Sequence, residues 1–296
     1  MEEVLEYWVT DPAGRYLDGT VGGGGHSAAL LERYPEAGVL GLDRDPEALE
    51  AAGERLAPFA ERVDLARSDF ADMEAVLAGR KGPPVAGILL DLGVSSHQLD
   101  DPDRGFAHGA PGPLRLVLDR DAERGAAEFL AEATEDVLHK VFRDLGELPR
   151  PGRAARAVVR ARAAGPIDTT ERLVQVLRSA GVDSPRRLSQ AFQALRLRVN
   201  HELESLRRGL DAAARVLPEG GTLTVISFES LMDRIVKRAL RPPREGRPLA
   251  GVPDPSPEWE VLTRRAVRPG PEELRRNPRS RSAKLRAARR MSHAAA

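Results

Sequence analysis

None of the 296 residues is cysteine, which removes disulfides, thiolate metal sites and a cysteine nucleophile together. Aromatic residues make up 4% of the chain, and no basic stretch is interleaved with them as a single-strand stacking platform would require. No apolar run approaches the roughly 20 residues of a membrane helix, and no signal-peptide pattern opens the chain. The expectation is a soluble cytoplasmic protein without a membrane partner. Net charge is also lacking, with 45 Lys+Arg against 45 Asp+Glu, but the balance conceals an asymmetry. Residues 1–149 carry 14 basic and 30 acidic side chains, and residues 150–296 carry 31 and 15. From Leu274 onward there is no acid, while Arg275, Arg276, Arg279, Arg281, Lys284, Arg286, Arg289 and Arg290 crowd together. A basic half of this kind is the electrostatic footprint of a polyanion-binding protein.

Glycine, by contrast, is concentrated where it carries information. The segment DGTVGGGGH (18–26) follows a short apolar run, Tyr16-Leu17-Asp18. It precedes a helix-like segment, Ser27 to Tyr34, and a second strand-like run, Gly38 to Leu42, closed by Asp43. Strand, glycine-rich turn, helix and acid-terminated strand form the nucleotide-binding half of a doubly wound α/β fold. Glycines admit a ligand close to the backbone, and the next helix offers its first N–H groups to negative charge. Asp43 stands where such folds place the carboxylate that holds ribose hydroxyls. The dinucleotide fingerprint G-x-G-x-x-G fails, because Ser27 falls where its third glycine belongs when counted from Gly22. The phosphate loop of ATP-binding proteins fails for want of a Lys after the glycines. S-adenosylmethionine, with a carboxylate and an ammonium but no phosphate, remains; Asp18 is available to its ammonium and the glycine turn to its carboxylate.

Further along, Asp45-Pro46 starts a helix running to about Leu56. Val63–Ala66 reads as a third strand, Asp72 as the cap of a short helix to Leu77, and Val85–Leu90 as a buried parallel strand ended by Asp91. Phe70, between them, either stacks on an adenine ring or plugs the core. Asp100–Gly112 reads as a loop. From about Leu114 to Asn200 only helical periodicity and caps occur: Ala126–Ala131, Thr134–Leu145, Ala154–Ala163, Thr169–Ser179 and Ser189–Val199. This implies a helical domain inserted into the α/β domain, carrying Arg150, Arg153, Arg156, Arg160 and Arg162. Then come a long helix (Glu202–Leu217), a turn, a strand (Thr222–Phe228), a helix (Met232–Leu240) and a Pro/Arg/Gly-rich loop (Arg241–Pro257). Trp259–Val267 and Ala283–Ala288 are the last strand candidates.

Eight stretches together resemble one family: DGTVGGGGHS (18–27), GLDRDPEAL (41–49), ILLDLGVSSHQLD (88–100), DRGF (103–106), ARAVVRAR (155–162), FQALRLRVNHEL (192–203), VISFESLMDRIVK (225–237) and NPRSRSAKLRAA (277–288). The family is the bacterial MraW type of small-subunit ribosomal RNA cytosine N4-methyltransferase. DLGVSS and NPRSRSAKLR are the most specific of these. The resemblance implies a class I, Rossmann-like methyltransferase sheet in two parts, residues 1–108 and 201–296, interrupted by an all-helical domain at 109–200. It implies methylation of the exocyclic amine of a cytosine in the small-subunit RNA, or in the assembled subunit, with S-adenosylmethionine as donor. The implied cofactor site is Gly24, Gly25, His26, Asp43, Phe70, Asp91 and Gln98. Asp91 is also the candidate catalytic residue, serving either the base or the cofactor. Arg153, Arg156, Asn200, Arg279, Arg281 and Lys284 are the residues expected at the RNA, and no metal is expected.

The chain departs from the family pattern at several points. His97 stands where Pro is usual, and Arg115-Leu116-Val117-Leu118 replaces an Asp-Met-Arg-Met run. Glu229 stands for His and Met232 for Glu, and the His-x-Pro-Val lead is missing. These departures motivate an alternative, a cofactor-binding RNA-binding or ribosome-assembly protein with altered or lost catalysis. A methyltransferase of DNA or of a small molecule is a third reading. The charge asymmetry argues against the small molecule, and the absence of a Ser/Asn/Asp-Pro-Pro-Tyr/Phe motif against DNA.

Overall fold

The apolar run before the glycines forms a strand, Arg15–Asp18 (β1), which pairs in parallel with both Gly38–Asp43 (β2) and Val85–Asp91 (β4). In the computed structural model, which describes residues 1–241 and 259–291, these belong to one seven-stranded sheet. Val63–Arg67 (β3) lies outside β2, and Thr222–Ser227 (β5) outside β4. Lys284–Arg290 (β7) then runs antiparallel to β5, and Trp259–Val261 (β6) antiparallel to β7. The order is β3-β2-β1-β4-β5-β7-β6. Strand order reverses between β1 and β4, so the crevice at their carboxyl ends is where an open α/β sheet binds its ligand. The expected class I methyltransferase-type sheet is present.

The chain divides into two units, residues 1–93 with 204–296, and residues 94–203. In the first, the helices Glu2–Trp8, Gly25–Arg33 and Pro46–Leu56 cover the sheet. Val4, Leu5, Trp8, Leu30 and Leu31 pack with Tyr16, Val39 and Leu89 in its core. The second unit is helical, with Ala126–Glu132, Glu135–Lys140, Pro151–Ala164, Thr170–Ser179 and Pro185–Val199 around Leu130, Phe142, Val158, Leu173 and Leu195. It takes in residues 94–108, placed with the first part of the sheet by the sequence, because Val94, Leu99 and Phe106 pack into that helical core.

Several boundaries move for identifiable reasons. The loop expected at Asp100–Gly112 holds the end of the helix Ser96–Asp100 and a 3-10 turn, Pro102–Arg104, each capped by the side chain just before it. The helix expected at Ser189 begins at Pro185, capped by Ser184. The helix expected over Thr134–Leu145 is α-helical to Lys140 and widens to a π-turn at Val141–Leu145. The strand expected over Trp259–Val267 ends at Val261. There the N–H groups of Leu262 and Thr263 both turn onto the Ala287 carbonyl, and Val267 returns only to bridge Leu285. The helices Glu2–Trp8 and Pro271–Arg276 carry no expectation from the sequence. Apart from Arg241, the expected loop Arg241–Pro257 lies outside the described residues. Among those described, no helix is long and apolar enough to cross a membrane.

Candidate active site

At the carboxyl ends of β1, β2 and β4 the first unit gathers three acids and a histidine. Gly24 terminates the glycine turn with φ +76°, in the left-handed region that a side chain would oppose, and the helix Gly25–Arg33 starts directly after it. His26 in its first turn approaches Asp91 at the end of β4, Nε2 to Oδ2 3.3 Å. Both side chains are part-exposed, yet Nδ1 of His26 and Oδ1 of Asp91 are buried atoms with no hydrogen-bond partner among the described residues. The Asp91 N–H donates to Thr20 Oγ1 at 2.6 Å, which ties the β4 end to the turn after β1. Burial works against a charge on His26, but the hydrogen bond and charge of Asp91, helped by Asp18, hold its pKa above the usual 6.5.

Asp18 itself is closed off. It is 1% exposed, with Oδ2 accepting from Ser27 Oγ at 2.7 Å and Oδ1 from the Thr20 N–H at 3.3 Å. Burial pushes its carboxyl up from 3.8 to about 6. The expectation that this acid meets a ligand ammonium is therefore corrected, because its oxygens are turned inward onto the turn and helix start.

Asp43, at the end of β2, accepts from the Gly22 N–H through Oδ2 and from the Asp45 N–H through Oδ1, both at 3.0 Å. Burial raises its pKa, with those N–H groups acting in the opposite sense. Phe70 opens a short turn after β3, and its ring packs against the backbone of Gly209. Asp69 holds this turn, accepting from the Ala71 N–H at 2.8 Å and Ser205 Oγ at 2.9 Å, and pairing with Arg44 at 3.0 Å. The sequence assigns no role of their own to Asp69, Thr20 or Ser27, Asp69 being read only as part of the loop 68–70 that could touch an adenine. The only signal for Asp69 is its place between the third strand and Phe70.

Gln98 belongs to the second unit, and its side chain is engaged there. Its backbone N–H and Oε1 complete a capping box with Ser95, and Nε2 donates to the Leu118 carbonyl at 3.2 Å. Asn200, expected at RNA, is 6% exposed and holds the backbone of Leu116 and Leu118, so it cannot present its amide to a phosphate. Lys284 is similarly withdrawn, pairing with Asp233 at 3.6 Å beside Arg286, which donates to the same carboxylate at 2.6 Å. That pairing outweighs burial and lowers the Asp233 pKa. Arg153 and Arg156 are exposed on one face of the helix Pro151–Ala164, with Arg156 3.7 Å from Glu135, and Arg279 and Arg281 are exposed before β7. Among the described residues no cluster of three or more His, Asp and Glu is suited to a metal ion.

The MraW methylase family model matches residues 1–291. The chain belongs to that family. Proteins named ribosomal RNA small subunit methyltransferase H from Symbiobacterium thermophilum and Heliobacterium modesticaldum are 44% and 43% identical to it, over 97% of this chain and 94% and 96% of their own lengths. A relative of the same name from Nitratidesulfovibrio vulgaris is 46% identical over 97% of this chain and 93% of its own. Among solved structures, an rRNA methylase from Streptococcus thermophilus aligns with 98% of this chain and 93% of its own, at TM-score 0.43 and 10% identity. As a member of this methylase family, the chain carries its departures largely inside packing. Leu116, Val117 and Met232 are 1–2% exposed, and the Arg115 guanidinium donates to the Ala122 carbonyl at 2.6 Å. Glu229 stands directly before the helix Ser230–Ala239, and only His97 is fully at the surface.

Proposed function

We propose that this methylase transfers a methyl group from S-adenosylmethionine to the exocyclic N4 amine of a cytosine in small-subunit ribosomal RNA. The relatives' shared name supports the RNA, and one observation supports the donor: a buried, unsatisfied pair of opposite polarity beside the glycine turn. His26 Nδ1, on an imidazole held toward its charged form, is a donor for the carboxylate of an amino acid. Asp91 Oδ1 is an acceptor for its ammonium. Gly24, left-handed and packed on Leu56, and Gly25, which starts the next helix, carry the turn beside them, with Gly23 facing open space; Asp43 stands at the end of β2 for ribose hydroxyls, and the Phe70 turn offers an apolar edge to the adenine. When bound, the donor supplies an activated methyl on a positive sulfonium.

Cytosine's amine is a weak nucleophile because its lone pair is shared with the ring. What the chain contributes is alignment and hydrogen-bond acceptors for the amine protons. Asp91 Oδ2 is committed to His26, so we assign Asp91 to the donor rather than to the base. No base is needed before transfer, since the amine proton becomes acidic only once nitrogen has been methylated. The exposed arginines of the helix Pro151–Ala164, with Arg279 and Arg281, supply phosphate contacts without reading sequence.

The test is incubation with radiolabelled S-adenosylmethionine and either naked small-subunit RNA or assembled subunits, followed by nucleoside mass analysis. Label recovered as N4-methylcytidine is expected. Label in another nucleoside, or in none from either substrate, would overturn the proposal.

A further inference from the structure

A carboxylate sealed from solvent between the glycine turn and the next helix is a costly way to fill space, since a neutral amide of the same shape would cost less. Asp18 has neighbours that give the charge a use. Its Oδ2 accepts from Ser27 Oγ at 2.7 Å, and Ser27 is the next residue after His26 in the first helical turn. Its Oδ1 accepts from the Thr20 N–H, and Thr20 Oγ1 in turn accepts from the Asp91 N–H at 2.6 Å. One buried side chain thus ties down the backbone on both sides of the His26–Asp91 pair.

We propose that Asp18 is a positioning residue: through Ser27 and Thr20 it fixes the His26–Asp91 pair that receives the amino-acid end of the methyl donor. The proposal rests on the donor reading above. Geometry carries it, and electrostatics acts the same way. The groups that bear on the His26 ring are Asp91 and Asp18, which favour its charged form, and the N-terminal ammonium, which opposes it. The Arg55 guanidinium also lies close to Gly25, one residue away. Neutralising Asp18 removes one of the two carboxylates acting on the imidazole, so His26 should lose its proton at lower pH. It also loosens the turn that aims Nδ1.

Proton NMR titration of the His26 ring in the ligand-free protein, identified by its absence in His26→Gln, tests this directly. In Asp18→Asn the His26 midpoint should fall by about half a pH unit or more. Calorimetry should show S-adenosylmethionine binding weakened about tenfold near pH 7.5, the effect of forfeiting one well-aimed hydrogen bond to the donor. Ser27→Ala keeps the carboxylate but cuts the tether, and should weaken binding with a smaller change in the midpoint. It is the independent test of the tether. An unmoved His26 midpoint with unchanged affinity in Asp18→Asn, or unchanged affinity in Ser27→Ala, overturns the role of Asp18. Wild-type protein that binds no S-adenosylmethionine overturns the donor reading instead, while the ligand-free titration still decides whether Asp18 governs His26.

Discussion

Asn200 grips the backbone on both sides of Val117: its Oδ1 accepts from the Leu118 N–H and its Nδ2 donates to the Leu116 carbonyl, each at 2.7 Å. Leu116 sits at φ +56°, a conformation that a branched apolar residue adopts only when its surroundings impose it. Arg104 adds bonds to the carbonyls of Val117 and Leu118 at 3.1 and 2.7 Å. Asn200→Ala should leave a part-buried N–H and a buried carbonyl without their partners and cost about 3 kcal/mol. Urea denaturation checks the magnitude. RNA affinity measured on the folded protein should be unchanged, and a selective loss of RNA binding without destabilisation would restore Asn200 to the RNA interface.

The sheet and the acids at its carboxyl edge were legible because their signals are local. Continuous apolar runs ended by Asp18, Asp43 and Asp91 mark parallel strands buried on both faces, and Pro46 after Asp45 marks a helix start. What could not be read were partners distant in sequence. Nothing near Asn200 announces that its amide closes on Leu116 and Leu118, nor does Lys284 announce Asp233. A residue type suited to RNA is equally suited to a buried backbone clamp or an ion pair, and only the tertiary arrangement decides. The same holds for Asp18, whose position suggested a ligand contact and whose burial gives it a supporting role.

Asp43 combines a turn-holding role with a proposed ligand contact. Asp43→Ala removes the acceptor for the Gly22 and Asp45 N–H groups and the carboxylate meant for the ribose. S-adenosylmethionine affinity should fall by about 100-fold, corresponding to roughly 3 kcal/mol for a charge-assisted contact and a loosened turn. Calorimetry on the variant decides this, and affinity within a factor of about three of wild type would count against the ribose assignment.

The raised pKa of Asp18 makes stability depend on pH with a definite sign. Its folded value of about 6 exceeds the ordinary 3.8, so the folded chain holds this proton more tightly than the unfolded one. The contribution is fully present below the ordinary value and is lost as pH rises through about 6. Asp18→Asn removes that loss. At pH about 8 the variant should be more stable than wild type by up to about 3 kcal/mol, an advantage that shrinks below pH 6 and vanishes near 4. Urea midpoints at several pH values provide the check; an advantage independent of pH would contradict it.

Gly209 is placed so that the Phe70 ring lies on its backbone: a Cβ there would stand 2.4 Å from Phe70 Cδ2. Gly209→Ala must therefore displace the ring, destabilising by about 1–3 kcal/mol as overpacking does. Donor affinity should fall with it. Adding Phe70→Leu should recover stability but not affinity, because it relieves the clash while removing the flat ring. Recovery of both together would mean that Phe70 fills the core without touching the ligand.

The arginine face of the second unit predicts a separable defect. Arg153 and Arg156 are exposed one turn apart, and Arg156 has only a 3.7 Å approach to the exposed Glu135, a pairing worth about 0–1 kcal/mol. Reversing both charges, Arg153→Glu with Arg156→Glu, costs little in folding but replaces attraction to phosphates by repulsion. RNA binding should weaken, and the slope of log affinity against log salt should become shallower by the share of two phosphates, roughly 1.4–1.8. S-adenosylmethionine affinity should be unaffected, because Gly24, His26, Asp43 and Asp91 all belong to the other unit. Filter binding across a salt series, run beside calorimetry with the donor, separates the two effects. A parallel loss of both affinities would show that the helical unit does not bind RNA independently of the donor site, and an unchanged salt slope would remove these arginines from the phosphate-binding surface altogether.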